Sequence, residues 1–139
     1  MATAPGESAL QFNIGDAIDV MTARRGGMEA AQTLGFSQAD ATKIAVVISE
    51  LGRNIINYAG CGAITIVTHK SMRGRTFIKI IAEDKGPGIA NLDSALAGGQ
   101  STSGGLGLGL SGSRRMMDEF EIETAVGEGT VVRAVKWLN

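Results

Sequence analysis

Leu10, Phe12 and Ile14 alternate with Gln11 and Asn13, the two-residue period of a short strand with one buried face. Asp16 can then cap a helix running toward Leu34, where Gly35 supplies the stop. Gly26 and Gly27 interrupt that helix, each at a cost of about 1 kcal/mol relative to alanine, so the pair implies a close-packed neighbour or a local break. Ser37-Gln-Ala-Asp40 has the form of a capping box with Asp in place of Glu or Gln. From it a helical pattern extends to Ala59, with Ile44, Val47, Ile48, Leu51 and Ile55 on one stripe and Gly60 as the left-handed stop. Two alternating runs, Ala63–Thr68 and Thr76–Ala82, read as a hairpin around a Lys70–Arg75 turn. Asn91–Ser103 is small, polar and without period, which predicts a loop; Leu106–Glu119 reads as a helix. Phe120–Val126 and Thr130–Leu138 form a second hairpin around Gly127-Glu128-Gly129. The order β-α-α-β-β-loop-α-β-β predicts an α/β (α+β) two-layer sandwich, with helices on one face of a mixed, mostly antiparallel sheet.

Length sets the domain count. With 139 residues the chain is one domain, taken here as residues 9–139 after a disordered terminus over 1–8. Lys+Arg is 13 and Asp+Glu is 14, a net charge of -1, which argues against nucleic-acid binding through bulk electrostatics. No apolar run reaches the roughly 20 residues of a membrane span. Met1–Ser8 lacks the basic and apolar regions of a signal peptide, so a cytoplasmic protein with no membrane partner is expected. One cysteine, Cys61, and one histidine, His69, exclude an internal disulfide and a Cys/His metal cluster. Glycine is the outlier. There are 20, about twice ordinary usage, and nine fall in the 29 residues from Asp84 to Gly112. Such clustering marks a local demand for permissive backbone or for close approach to a ligand.

Three segments carry candidate chemistry. On the long helix, Glu50, Asn54 and Asn57 fall within about 60° of one another, about 110° from the centre of the apolar stripe, so they line the rim of the core. An Asn amide oxygen suits Mg²⁺, which takes only one or two protein ligands beside phosphates and water; taken alone, Glu-x-x-x-Asn is also an ordinary exposed polar pair. Second, the strand ending in Ala82 delivers Asp84 ahead of Gly86-Pro-Gly88. A carboxylate drawn into a partly apolar pocket needs a donor, and the exocyclic amino group of adenine is one; the plainer reading is a Pro-Gly turn with a solvated Asp. Third, Gly104, Gly105, Leu106, Gly107 and Gly109 bring a loop into a helix, where free N–H groups and the helix dipole favour phosphate. The dinucleotide pattern at Gly107–Gly112 lacks the strand it needs, and no Gly-Lys-Ser/Thr occurs for a Walker A loop.

In their fixed order, these segments resemble the N box and the two glycine boxes of the Bergerat-fold ATPases, the superfamily that includes the ATP-binding domains of gyrase and histidine kinases. Within it, Ile48-Ser-Glu50-Leu-Gly-Arg-Asn54-Ile, Ile81-Ala-Glu-Asp84-Lys-Gly-Pro-Gly88-Ile and Ser101-Thr-Ser-Gly-Gly-Leu-Gly are similar to the RsbT-type stressosome switch kinases. Met117-Asp-Glu-Phe120 and Ala134-Val-Lys-Trp-Leu138 point the same way; Gly52 departs from that pattern, where Ala is expected. The resemblance implies ATP and Mg²⁺ as cofactors, with Asn54 holding the metal and Asn57 counted among the nucleotide-binding residues. It implies Asp84 on the adenine amino group, with Gly86 and Gly88 shaping that turn and Thr130 assisting. Gly104, Gly105, Leu106, Gly107 and Gly109 would wrap the phosphates, and Glu50 would act on the acceptor hydroxyl. The implied activity is a protein serine/threonine kinase that phosphorylates a STAS-domain partner and, once released, activates a PP2C-type phosphatase. Alternatives are an anti-sigma factor kinase of the same fold, a bare ATPase or histidine-kinase catalytic domain, and a nucleotide-dependent binding module without transfer.

Overall fold

The computed structural model describes residues 6–90 and 109–138. They form β1 (Glu7–Ile14), α1 (Ala17–Leu34), α2 (Gln38–Ala59), β2 (Gly62–His69), β3 (Phe77–Asp84), α3 (Gly109–Met116), β4 (Glu119–Ala125) and β5 (Gly129–Trp137). The helix ends are made by the residues whose chemistry predicts them. Asp16 accepts the Asp19 N–H at 2.9 Å and Ser37 accepts the Asp40 N–H at 3.1 Å, each satisfying a donor that has no partner inside the helix. Gly35 ends α1 at φ 102°, a left-handed conformation that favours glycine.

The five strands form one sheet in the order β1-β2-β3-β5-β4, antiparallel at each of its four pairings. The α2 stripe of Ile44, Val47, Ile48, Leu51 and Ile55 is fully buried, and Ile64, Ile66, Ile78, Ile80 and Ala134 meet it from one face of the sheet. Gly26 and Gly27 mark close packing rather than a break: α1 runs unbroken through both. A Cβ on Gly26 would stand 2.6 Å from Phe12 Cζ, and one on Gly27 would fall on Ile48 Cδ1. The pair lets α1 lie down on β1 and α2.

At the end of the sheet away from Asp84, Lys136 is buried and donates to the Met116 carbonyl at 3.2 Å, with Asp40 and Asp118 carboxylates at 4.0 and 3.9 Å. This ties the start of α2 to the end of α3, so α3 runs back antiparallel to α2.

Three expectations need correction. The terminus does not fray through Ser8: Glu7 and Ser8 already pair with His69 and Thr68, and Gly6 O accepts from Lys70 N at 3.0 Å, because β2 is long enough to template the extra residues. The inner side of β1 is covered at Ile14 and in part at Phe12, but not at Leu10. Leu10 is 48% exposed, since β1 is an edge strand. The third helix stops at Met116, and Glu119 is already strand, drawn into the sheet by the Asp118 N–H bond to Val135 O at 2.9 Å. The Asn91–Ser103 loop lies outside the described residues. No described helix is long and apolar enough to cross a membrane.

Gly129 opens β5 at φ 118°, and a Cβ there would fall on the Asp84 carbonyl oxygen. Gly129→Ala is expected to cost roughly 1–3 kcal/mol from the strained backbone, plus the displacement of the β3 end. Urea unfolding of the two proteins checks this; equal stability would show that the hairpin can shift away from Asp84 freely.

Candidate functional site

Antiparallel pairing of β3 with β5 sets Asp84 directly opposite Thr130. Both continue the sheet face of Ala82 and Val132, so the two polar side chains point toward the helical layer just where the apolar core ends. From above, α2 contributes Asn54, on the side of the helix next to its buried stripe. The three meet in a cleft whose apolar wall is Leu51, Ile55, Ala82, Ile89, Leu110 and Val132, with Tyr58, Pro87 and Gly88 completing the lining. The cleft spans about 450 Å³, counting the part open to solvent. A mostly apolar slot with three convergent polar groups suits a flat heterocycle with a polar edge.

The turn after β3 is fixed by short-range bonds. Asp84 Oδ1 accepts the Gly86 N–H at 2.9 Å, which commits one carboxylate oxygen to the turn. Gly86 itself does not line the cleft. A Cβ there would stand 2.6 Å from Ala59 Cβ, so its role is to let the turn pass the last turn of α2. Gly88 has φ 77°, and the Gly127 N–H donates to Pro87 O at 2.8 Å. The turn is thereby joined to the β4–β5 hairpin.

Thr124 completes the joint, and nothing in the sequence singled it out. Its Oγ1 accepts the Ile89 N–H at 2.9 Å and lies 2.9 Å from Thr130 Oγ1 and 3.2 Å from Gly129 O. A hydroxyl has one proton and two acceptor sites, so Thr124 can serve all three neighbours only if it donates once and accepts twice. Thr130 is held by this arrangement in the orientation that borders the cleft.

Glu50 lies one turn before Asn54 and is 7% exposed. Its Oε1 is 3.3 Å from Arg53 Nη1. It does not line the apolar slot, and Asn57 does not either. Asn57 is exposed, because its direction is turned about 60° from Asn54 toward solvent; helical spacing grouped it with Asn54, and the burial of the helix separates them. Gly109 opens α3 without lining the cleft; its neighbour Leu110 does. Gly104, Gly105, Leu106 and Gly107 lie outside the described residues. Lys85 is exposed. Tyr58 was also missed, although its i+4 spacing from Asn54 puts it on the same side of α2.

Among the described residues no group of three His, Cys, Asp or Glu side chains could hold a metal ion. The donor set does not fit a metal caged by protein. It fits a hard cation that arrives bound to phosphates and takes one neutral amide oxygen.

Residues 15–136 match the model of the histidine kinase-like ATPase domain, and the chain belongs to that family. Among curated relatives, the serine/threonine-protein kinase RsbT of Bacillus subtilis is 49% identical over 121 residues, covering 87% of this chain and 90% of that protein. An anti-sigma F factor of Thermoanaerobacter is 31% identical over 99 residues, 69% of each chain, and one from Caldanaerobacter subterraneus has the same identity and coverage. The family's α+β architecture is the one described above, and an ATPase domain implies use of ATP.

Thr124→Val removes the acceptor of the Ile89 N–H while keeping the side-chain shape. A loss of about 1–3 kcal/mol is expected from the stranded donor, together with weaker ATP binding as Thr130 loses its partner. Denaturant unfolding and calorimetry read the two effects separately; unchanged values in both would remove Thr124 from the site's support.

Proposed function

We propose that the chain is an ATP-dependent protein serine/threonine kinase acting in the cytoplasm on a STAS-domain stressosome protein. On release from that partner it activates a PP2C-type phosphatase. The observation that carries the reading is the convergence of Asn54, Asp84 and Thr130 on one apolar slot, with the Glu50 carboxylate one helical turn from Asn54. The similarity to RsbT over most of both chains supports the choice of acceptor class.

In this reading the purine enters between Leu51, Ile55, Ile89 and Val132. The free oxygen of Asp84 accepts from its exocyclic amino group, with Thr130 alongside. Asn54 would offer an amide oxygen to Mg²⁺ carried on the triphosphate, which would supply neutralisation of charge on the transferring phosphoryl. Gly104, Gly105, Leu106, Gly107 and Gly109 contribute backbone N–H groups to the phosphates. The serine oxygen forms a bond to the γ-phosphorus as the bond from that phosphorus to the bridging oxygen breaks. ADP leaves with the bonding pair, and the serine proton passes to Glu50. No described basic side chain lines the slot.

A second reading follows from the anti-sigma F relatives: a kinase of the same fold that sequesters a sigma factor. A stable complex with a sigma factor, and none with a phosphatase, would favour it.

The primary test is incubation with Mg-ATP and candidate STAS-domain proteins, followed by mass spectrometry for phosphoserine. Absence of transfer to every candidate, with ATP bound, would leave a binding module. Glu50→Gln is expected to keep Mg-ATP affinity and slow transfer by about 100-fold or more, the scale of general-base catalysis. Asp84→Asn removes a charge-assisted bond worth about 1.5–3 kcal/mol, so calorimetry should read roughly 10- to 100-fold weaker ATP binding; unchanged affinity would mean that Asp84 does not meet the purine.

A further inference from the structure

The burial of Glu50 raises a question that transfer chemistry alone does not answer: what holds its carboxylate. Gly52, two positions on, faces α1, where a Cβ would stand 2.9 Å from Val20 Cγ2. Two helical residues are about 200° apart, so Glu50 points away from α1, to the side where Asn54 enters the cleft. A carboxylate on a side chain that is 10% exposed needs a compensating donor. Among the described residues that donor is Arg53, whose Nη1 lies 3.3 Å from Oε1.

The geometry around the helix gives the pair a direction. Relative to Glu50, Asn54 lies about 40° round the helix on one side and Arg53 about 60° on the other. Arg53 is 53% exposed at its side chain, so its guanidinium reaches the carboxylate from the solvent side. Asn54 stands on the cleft side. No described group holds Oε2. A guanidinium keeps its charge under all ordinary conditions and presents its donors in a rigid fork, which suits it to fix one carboxylate oxygen.

We propose that Arg53 is a positioning residue for phosphoryl transfer: by holding Oε1 from the solvent side it fixes the Glu50 rotamer and leaves Oε2 to take the acceptor proton. The inference rests on the reading of Glu50 as the group that receives that proton. In the step itself the serine oxygen–phosphorus bond forms, the bond to the ADP oxygen breaks, and the hydroxyl proton ends on Oε2. Arg53 touches neither substrate; it acts through Glu50 alone.

The test uses the full chain as wild type, Arg53→Ala, Arg53→Lys, Glu50→Gln and the Glu50→Gln/Arg53→Ala double variant. Two measurements are made: kcat and KM for a STAS-domain acceptor, and Mg-ATP affinity by calorimetry. Arg53→Ala should lower kcat by roughly 10- to 100-fold, the effect of a misplaced catalytic group, at unchanged nucleotide affinity. Arg53→Lys should recover part of the loss, and the double variant should be no slower than Glu50→Gln. Wild-type kcat in Arg53→Ala beside a slow Glu50→Gln would overturn the role of Arg53 and leave the kinase reading intact. Wild-type kcat in Glu50→Gln would overturn the assignment of Glu50 and the inference with it. Additive losses in the double variant would make the two residues independent and overturn the positioning role. Should Arg53→Ala fail to fold, Arg53→Gln is read by the same split between kcat and affinity.

Discussion

The rotation of α2 about its own axis is the constraint on which the site depends. Five apolar side chains, Ile44, Val47, Ile48, Leu51 and Ile55, are each 2% exposed or less, and burying a side chain of this size contributes about 1.5–3 kcal/mol. Turning the helix by one residue, about 100°, would lift most of that stripe out of the sheet. Glu50 and Asn54 have no freedom to point elsewhere while the stripe stays buried. Burial of the apolar stripe therefore sets where Glu50 and Asn54 point.

The sheet imposes the matching constraint from below. Strand side chains alternate faces, so a one-residue slip of β3 against β5 would send Asp84 to the far side of the sheet. The register is held by Ile78, Ile80 and Ala82 against Val132 and Ala134, and at the cleft end by Gly129, where only the absence of a side chain lets β5 start against the Asp84 carbonyl. The Thr124 hydroxyl then fixes the turn after β3 to the hairpin after β4. The floor of the cleft is thus set by pairing and hydrogen bonds, and its roof by hydrophobic burial.

What was legible in the sequence is what depends on neighbours within a turn or a strand period. Asp16 and Ser37 announce the helix starts, the α2 stripe announces the buried face, and the Asp84-to-Gly88 spacing announces a turn at a strand end. Legibility fails where the partner is distant along the chain. Thr124 is 35 residues from Ile89, so its role has no local signature. Glu7 and Ser8 join the sheet only because β2 extends beside them. Asn57 satisfies the helical spacing of a rim residue, yet which side of the rim faces the cleft is decided by where α1 and the sheet lie. Gly26 and Gly27 stood as a cost without a cause until Phe12 and Ile48 were placed against them.

The two ends of α2 serve different purposes, and α3 connects them. A helix of eight residues is too short to be stable by its own hydrogen bonds, so α3 persists through what it packs against. At its end, buried Lys136 on the Met116 carbonyl, with the partly exposed Asp40 and Asp118 carboxylates nearby, makes an electrostatic clasp to the start of α2. At its beginning, Leu110 rests on the cleft wall beside Leu51 and Ile55. The clasp is complete without a ligand, while the Leu110 contact borders open space. A molecule filling the cleft would lie against Leu110, and binding to the folded form alone would stabilise that form as a whole by mass action.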